Sequence, residues 1–127
     1  MTIANKELKS FYCDVLVTAI ESGIGYWADV KDYDWKEDND GNMIAVSAMV
    51  KLTNEDDEED ILKGWHPLTP ELVRTGIARI LREKESYGKE FRAMVYADKQ
   101  DRDACNIDAN DADVIVQVGL FGKEIFA

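Results

Sequence analysis

The hydrophobic spacing of this chain changes period twice within its first eighty residues, and that change limits the fold more than any other feature. Leu8, Phe11, Tyr12, Val15, Leu16, Ala19 and Ile20 recur at the three- and four-residue spacing of a helix. Asn5 is suited to cap its start. Gly23 is suited to end it in the left-handed conformation that glycine adopts without steric cost. This spacing buries Phe11, Val15 and Leu16 and turns Cys13 and Asp14 away.

Over residues 25–36 and 43–53 the period drops to two. Tyr26, Ala28 and Val30 alternate with Trp27 and Asp29. Ile44, Val46, Ala48, Val50 and Leu52 alternate with Met43, Ala45, Ser47, Met49 and Lys51. Both sides of the second run are apolar, as expected of a central strand. Between the runs, Glu37-Asp38-Asn39-Asp40-Gly41-Asn42 has the chemistry of a hairpin turn, with Gly41 supplying positive φ. A third short strand is predicted over 61–65.

Helical spacing then returns. Thr69 is an N-cap residue, Pro70 suits the first helical position, and Glu71 suits the positive end of the helix dipole. Leu72, Val73, Gly76, Ile77, Ile80 and Leu81 share one face. A mid-helix glycine costs about 1 kcal/mol relative to alanine, so Gly76 marks the close approach of another backbone. A third helix over 89–99 follows Gly88, with Phe91, Met94 and Val95 as its stripe. Residues 114–118 would serve as a buried strand or a helix. Asp108 with Asp111 as a capping box, and the stop at Gly122, favour a helix over 109–120. Residues 123–127 then form a closing strand. The predicted class is α+β: one domain over 1–127, with a small antiparallel sheet around the 25–36/43–53 hairpin, packed by three to four helices.

Composition bears on function through charge. The 127 residues carry 26 acids against 15 basic residues, for a net charge of −11. That sign argues against direct nucleic-acid binding, which uses a basic stripe to neutralise phosphates. The 46% hydrophobic content and the three Trp, five Tyr and four Phe argue against an acidic disordered tail. No apolar run approaches a membrane span, and no signal-peptide pattern follows Met1. Cys13 and Cys105 are too few for a disulfide framework. The expectation is a cytoplasmic protein. The charge is local: residues 29–60 hold twelve acids and three lysines, whereas residues 61–100 are net +3. Glu55-Asp56-Asp57-Glu58-Glu59-Asp60 is an unbroken acidic run that prefers solvent.

Few residues assemble into a recognisable catalytic or metal motif, and no cofactor is implied. Asp38, Asp40 and Gly41 resemble part of a calcium loop. Placing Gly41 sixth, however, puts Lys36 first and Ser47 twelfth, and neither fits. The 106–111 stretch alternates oxygen ligands but lacks the glycine, so both places read as turn and cap chemistry. His66 is the only histidine, which excludes a two-histidine zinc motif. It reads as a loop residue packed on Trp65. Gly23-Ile24-Gly25 lies between a helix and a strand, the reverse of the order a dinucleotide loop requires.

The aromatics of the first strand offer more. Strict alternation puts Trp27, Tyr33 and Trp35 on one face and Tyr26 on the other. The first face is either core or a binding surface flanked by Asp29, Asp32, Asp34, Asp38 and Asp40.

Gly23-Ile24-Gly25-Tyr26-Trp27-Ala28, the 72–78 segment around Gly76-Ile77, and Asp111-Ala112-Asp113-Val114-Ile115-Val116-Gln117 running to Phe121-Gly122 together resemble a family of small uncharacterised proteins of bacteriophages and bacterial mobile elements. The resemblance spans about 15 to 126 and falls on caps, glycines and core positions, so it implies a shared fold and a bacterial host cell. It carries over no catalytic residue. Small acidic proteins in that setting are often inhibitors of host defence, some by imitating the charge of DNA.

Two functional expectations follow. The first is an interaction protein whose partner has a basic surface, such as a host nucleic-acid-binding nuclease complex. It would be engaged by Trp27, Asp29, Asp32, Tyr33, Asp34, Trp35, Asp38, Asp40 and the acids of 55–60 (Glu55, Asp56, Asp57, Glu58, Glu59 and Asp60). The second is a nucleotide-binding or nucleotide-processing protein. It would use Arg74, Arg79, Arg82, Lys84, Lys89 and Arg92 on phosphates, with Trp65 or Tyr87 stacking and His66 nearby. A structural or assembly role, with the acids only solubilising, is a third reading. A homo-oligomer is compatible with each.

Overall fold

A computed structural model describes residues 5–37, 41, 43–53 and 64–126. Helix α1 (Lys6–Thr18) begins at Asn5, whose side-chain oxygen accepts from the Leu8 N–H at 2.9 Å. One π-helical turn, Ala19–Gly23, extends it. Gly23 is not in the left-handed region. It is small for a steric reason: a Cβ there would lie 2.7 Å from the Ala109 carbonyl oxygen. Cys13 is buried, contrary to the amphipathic reading. Helices α2 and α4 and strand β2 all pack on α1, so its covered arc is wider than one stripe.

Three antiparallel strands follow, β1 (Ala28–Glu37), β2 (Met43–Leu52) and β3 (His66–Leu68), in the order β1-β2-β3. The doubly apolar β2 is the central strand, as its pattern implies. The first strand starts at residue 28 because residues 25–27 form a turn closed by Trp27 N–H and Ala28 N–H on the Ile24 carbonyl. The third lies at 66–68 and not at 61–65. Trp65 precedes it, and residues 61–63 lie outside the described residues.

Ala28, Val50, Leu52, Ala48 and Leu68 are buried under the helices, while Asp29, Lys31 and Pro67 are exposed. The helices therefore cover one face of the sheet. The β1–β2 register slips between Lys31 and Asp34 and again between Asp34 and Trp35, at a bulge where Asp32 has φ 52.

Helices α2 (Pro70–Arg82), α3 (Lys89–Asp101) and α4 (Ala109–Phe121) complete the fold. Their starts match the local signals. Thr69 Oγ1 accepts from Leu72 N–H at 3.2 Å, and Asp108 and Asp111 form a reciprocal capping box at 2.9 and 3.1 Å. Gly122, at φ 81, ends α4. Gly76 does mark a close approach: a Cβ on it would collide with the Ile115 carbonyl oxygen of α4. The reciprocal glycine, Gly119, lies against Leu72 of α2. These two glycines let α2 and α4 pack backbone to backbone through the centre of the hydrophobic cluster, between Val73, Ile77, Ile80, Ile115 and Val116.

No closing strand forms over 123–126. The segment instead passes its backbone hydrogen bonds to a side chain, as described below.

Candidate functional site

Of the two readings of the Trp27, Tyr33 and Trp35 face, core or binding surface, the structure supports the first for Trp27. Trp27 is 4% exposed. Its indole stacks on Phe126 with ring centroids 5.3 Å apart and a 10° interplanar angle, and meets Phe121 edge-on. It is a core residue and not a contact surface. The bulge at Asp32 breaks the alternation, so Tyr33 is half-buried against the core. Burial, then the nearby Glu21 and Cys13, push its phenol up to about 12. Trp35 touches Tyr33 at 5.0 Å and is 41% exposed, which leaves it as the surface aromatic of β1. Asp32 and Asp34 are exposed near it, and Asp29, at the other end of β1, is exposed and accepts from Thr53 Oγ1 at 3.2 Å. Asp38, Asp40 and Glu55 to Asp60 lie outside the described residues.

Sequence reasoning missed a polar network inside the fold. Asp113 and Gln117, one turn apart on α4, are both buried. Asp113 accepts from Tyr26 Oη at 2.6 Å, from Trp27 Nε1 at 2.7 Å and from Gln117 Nε2 at 2.9 Å. Gln117 Oε1 accepts from Ile125 N–H at 2.8 Å and Phe126 N–H at 2.7 Å, and its Nε2 also donates to the Phe126 carbonyl at 3.0 Å. One buried amide thus holds the C-terminal segment much as a neighbouring strand would. Tyr26 is 56% exposed, yet its hydroxyl end sits against Asp113. Burial of that hydroxyl, then the hydrogen bond and charge of Asp113, push the phenol up to about 12. The sequence signal was slight: an Asp and a Gln within an otherwise apolar helix.

Two adjoining cavities open beside this network. One, of about 500 Å³, is lined by Glu83, Tyr87, Phe91, Asp111, Lys123 and Glu124 among others. The second, of about 340 Å³, is lined by Tyr26, Asn110, Asp113, Val114 and Glu124. They share Asn110, Val114 and Glu124, so they form one groove along the first turns of α4. Among the described residues, its lining holds the carboxylates of Glu83, Asp111, Asp113 and Glu124 and the ammonium of Lys123. Burial raises the Asp111 carboxyl above its ordinary value. The Asp108 N–H opposes that rise, and the Asp108 and Asp98 carboxylates add to it. Burial, then Glu83, raise the Tyr87 phenol, with Arg79 opposing.

Only part of the basic segment reaches this groove, through Arg79 and Arg92, which bond to residues that line it. Arg79 pairs with Glu83 at 3.0 Å. Arg92 Nε donates to the Tyr87 carbonyl at 3.1 Å. Arg74 lies near Tyr12, on the α1 side. Arg82, Lys84 and Lys89 are exposed. Trp65 is half-buried under two cations, with Lys31 Nζ at 4.2 Å and Lys51 Nζ at 5.2 Å from its ring centre. His66 belongs to β3, opposite Val50. The phosphate-binding set is therefore dispersed, and the groove beside Tyr87 has the wrong sign for a phosphate.

Among the described residues, no group of three or more His, Cys, Asp or Glu is placed to hold a metal ion, and no helix is long and apolar enough to cross a membrane. No protein-family model, no curated protein and no solved structure matches this chain.

Proposed function

We propose that this is a protein-interaction domain that binds a partner with a basic surface. The observation that supports it best is the groove along α4, whose described lining holds Glu83, Asp111, Asp113 and Glu124 against Lys123, with Glu83 also paired to Arg79 and with Tyr26, Tyr87 and Phe91 as aromatic walls. Acids with aromatics are the composition of a surface that receives Lys and Arg side chains. The exposed acids of β1 carry the same sign of charge, and the sequence adds the acidic run at 55–60. A long-range field of that sign speeds encounter with a cationic partner and is screened by salt. The family resemblance suggests a phage or mobile-element setting, and a host nuclease complex is the partner proposed by analogy with small acidic proteins of that setting.

The test is affinity capture from a bacterial lysate at low and high salt. Three baits are compared: the native chain, a variant with Asp56, Asp57, Glu58 and Glu59 changed to Lys, and a Glu83→Lys/Glu124→Lys variant. A basic partner held at low salt by the native chain, released at high salt and lost from at least one reversal variant is the expected result. Equal retention by all three baits at both salt concentrations refutes the reading.

A further inference from the structure

Asp113 is a buried carboxylate whose three observed partners, Tyr26, Trp27 and Gln117, are neutral donors. A carboxylate has about four lone-pair sites. Two on Oδ1 are taken by Trp27 and Gln117 and one on Oδ2 by Tyr26, so by this count one acceptor position on Oδ2 has no donor among the described residues. Asp113 also lines the cavity of about 340 Å³, together with Tyr26, Asn110, Val114 and Glu124, a lining that holds no cation among the described residues.

The geometry points to this cavity as the seat of a guanidinium group, the arginine side chain of the basic partner. The inference rests on the preceding reading that the partner is basic, and it names the residue and the place. Asp113 and Glu124 supply charge from two different elements, α4 and the C-terminal segment, and Asn110 supplies an amide oxygen. The exposed ring of Tyr26 supplies a face on which a planar cation stacks. A guanidinium has five donors in a planar fork and reaches several such acceptors at once; an ammonium is a compact, more strongly hydrated charge. A metal ion is disfavoured, since no three metal-ligating side chains come together among the described residues. The wall carrying Glu124 is held in place by the Gln117 bonds to Ile125 and Phe126, so the seat is pre-formed.

The full chain is titrated with N-acetyl-arginine amide into the tens-of-millimolar range, and the three indole N–H signals are followed by NMR. Trp27 Nε1 is bonded to the Asp113 carboxylate and reports on it directly; Trp35 and Trp65 serve as internal references. The expected result is a saturable shift confined to the Trp27 signal, with weaker binding of N-acetyl-lysine amide. Glu124→Lys changes an exposed side chain, so the fold is retained; it weakens arginine binding by about tenfold or more. A Trp27 signal that does not move, that moves equally with lysine, or that moves unchanged in Glu124→Lys overturns the assignment. If salt-sensitive partner capture persists in that case, only this seat is refuted. If capture fails while the arginine shift is present, only the broader reading is refuted.

Discussion

Gly76→Ala sets two effects of opposite sign against each other. In an exposed helix the change stabilises by about 1 kcal/mol, because alanine loses less backbone entropy on folding. Here the added Cβ collides with the Ile115 carbonyl oxygen and comes within 3.1 Å of the Gly119 nitrogen and 3.3 Å of the Ile115 carbonyl carbon. All three atoms are backbone, so no side chain can swing aside and α4 must move away from α2. A gap of about 0.5–1 Å forfeits a quarter to a half of each dispersion contact across it. The residues flanking the crossing, Val73, Ile77, Ile80, Ile115 and Val116, are all 0% exposed and have no solvent-side slack. Overpacking of this kind costs about 3–4 kcal/mol, at or just above the usual upper range. The net expectation is a loss of about 2–3 kcal/mol, or a Tm lower by about 6–15 °C for a chain of this size. Urea unfolding with the m-value held common, checked by thermal melting, measures it. Gly25→Ala, where a Cβ would meet nothing within 4 Å, is the control and should change stability by less than about 0.5 kcal/mol. The Gly76→Ala/Gly119→Ala pair should cost less than the sum of its parts, because helices already separated admit the second methyl more easily. A Gly76→Ala protein as stable as the native chain, or more so, refutes the backbone-contact argument.

Other measurements address the buried network and the titrating groups. Gln117→Leu removes the acceptor of Ile125 and Phe126 N–H and should cost about 2–3 kcal/mol. Hydrogen exchange should quicken at residues 125–126 much more than in α2; equal quickening throughout would mean that the segment is not held by this amide. The buried Cys13 thiol, pushed up to about 11 by burial, should resist alkylation at pH 8 until the chain unfolds, while the exposed Cys105 reacts. Mass spectrometry of the labelled peptides decides, and early labelling of Cys13 would contradict its burial. The phenols of Tyr26 and Tyr33 are each raised from 10 to about 12 in the fold, so folding favours their neutral forms. Their contribution is therefore complete below about pH 10 and lost as the pH rises from about 10 to 12. Stability should fall across that window, and less steeply in Tyr26→Phe; an ultraviolet titration with all tyrosines ionising near pH 10 would rule this out.

The helices were legible because their signals are short-range. Asn5 bonds to Leu8, Thr69 to Leu72 and Asp108 to Asp111, each three residues on, so the residues that define an end are visible together in the sequence. Gly76 was legible for a related reason: a glycine in a good helix has an evident local cost, and only a tertiary contact explains it. The strands were legible in type but not in detail. Alternation alone cannot reveal that Asp32 adopts a left-handed conformation, and that one residue shifts Tyr33 from a supposed display face into the core.

The candidate site was largely hidden. Charge counting located the acids of 29–60, many of which lie outside the described residues, and it flagged a basic middle segment whose cations the structure disperses. It did not find the groove, because Tyr26, Glu83, Tyr87, Asp111, Asp113 and Glu124 come from four separate stretches of chain.

By itself the sequence determined the α+β class, the helix starts, the central apolar strand and the sign of the charge. Each of these follows from spacing or from bonds that reach no farther than one turn. The tertiary structure alone decided that Trp27 is buried, that Cys13 faces inward, and that the C-terminal segment is held by Gln117 in place of a strand. It alone also decided that the groove along α4 is acidic. Trp27 and Asp113 are 86 residues apart and Tyr26 and Phe126 are 100 apart. Such partners meet only after the core has closed, so no local pattern announces them.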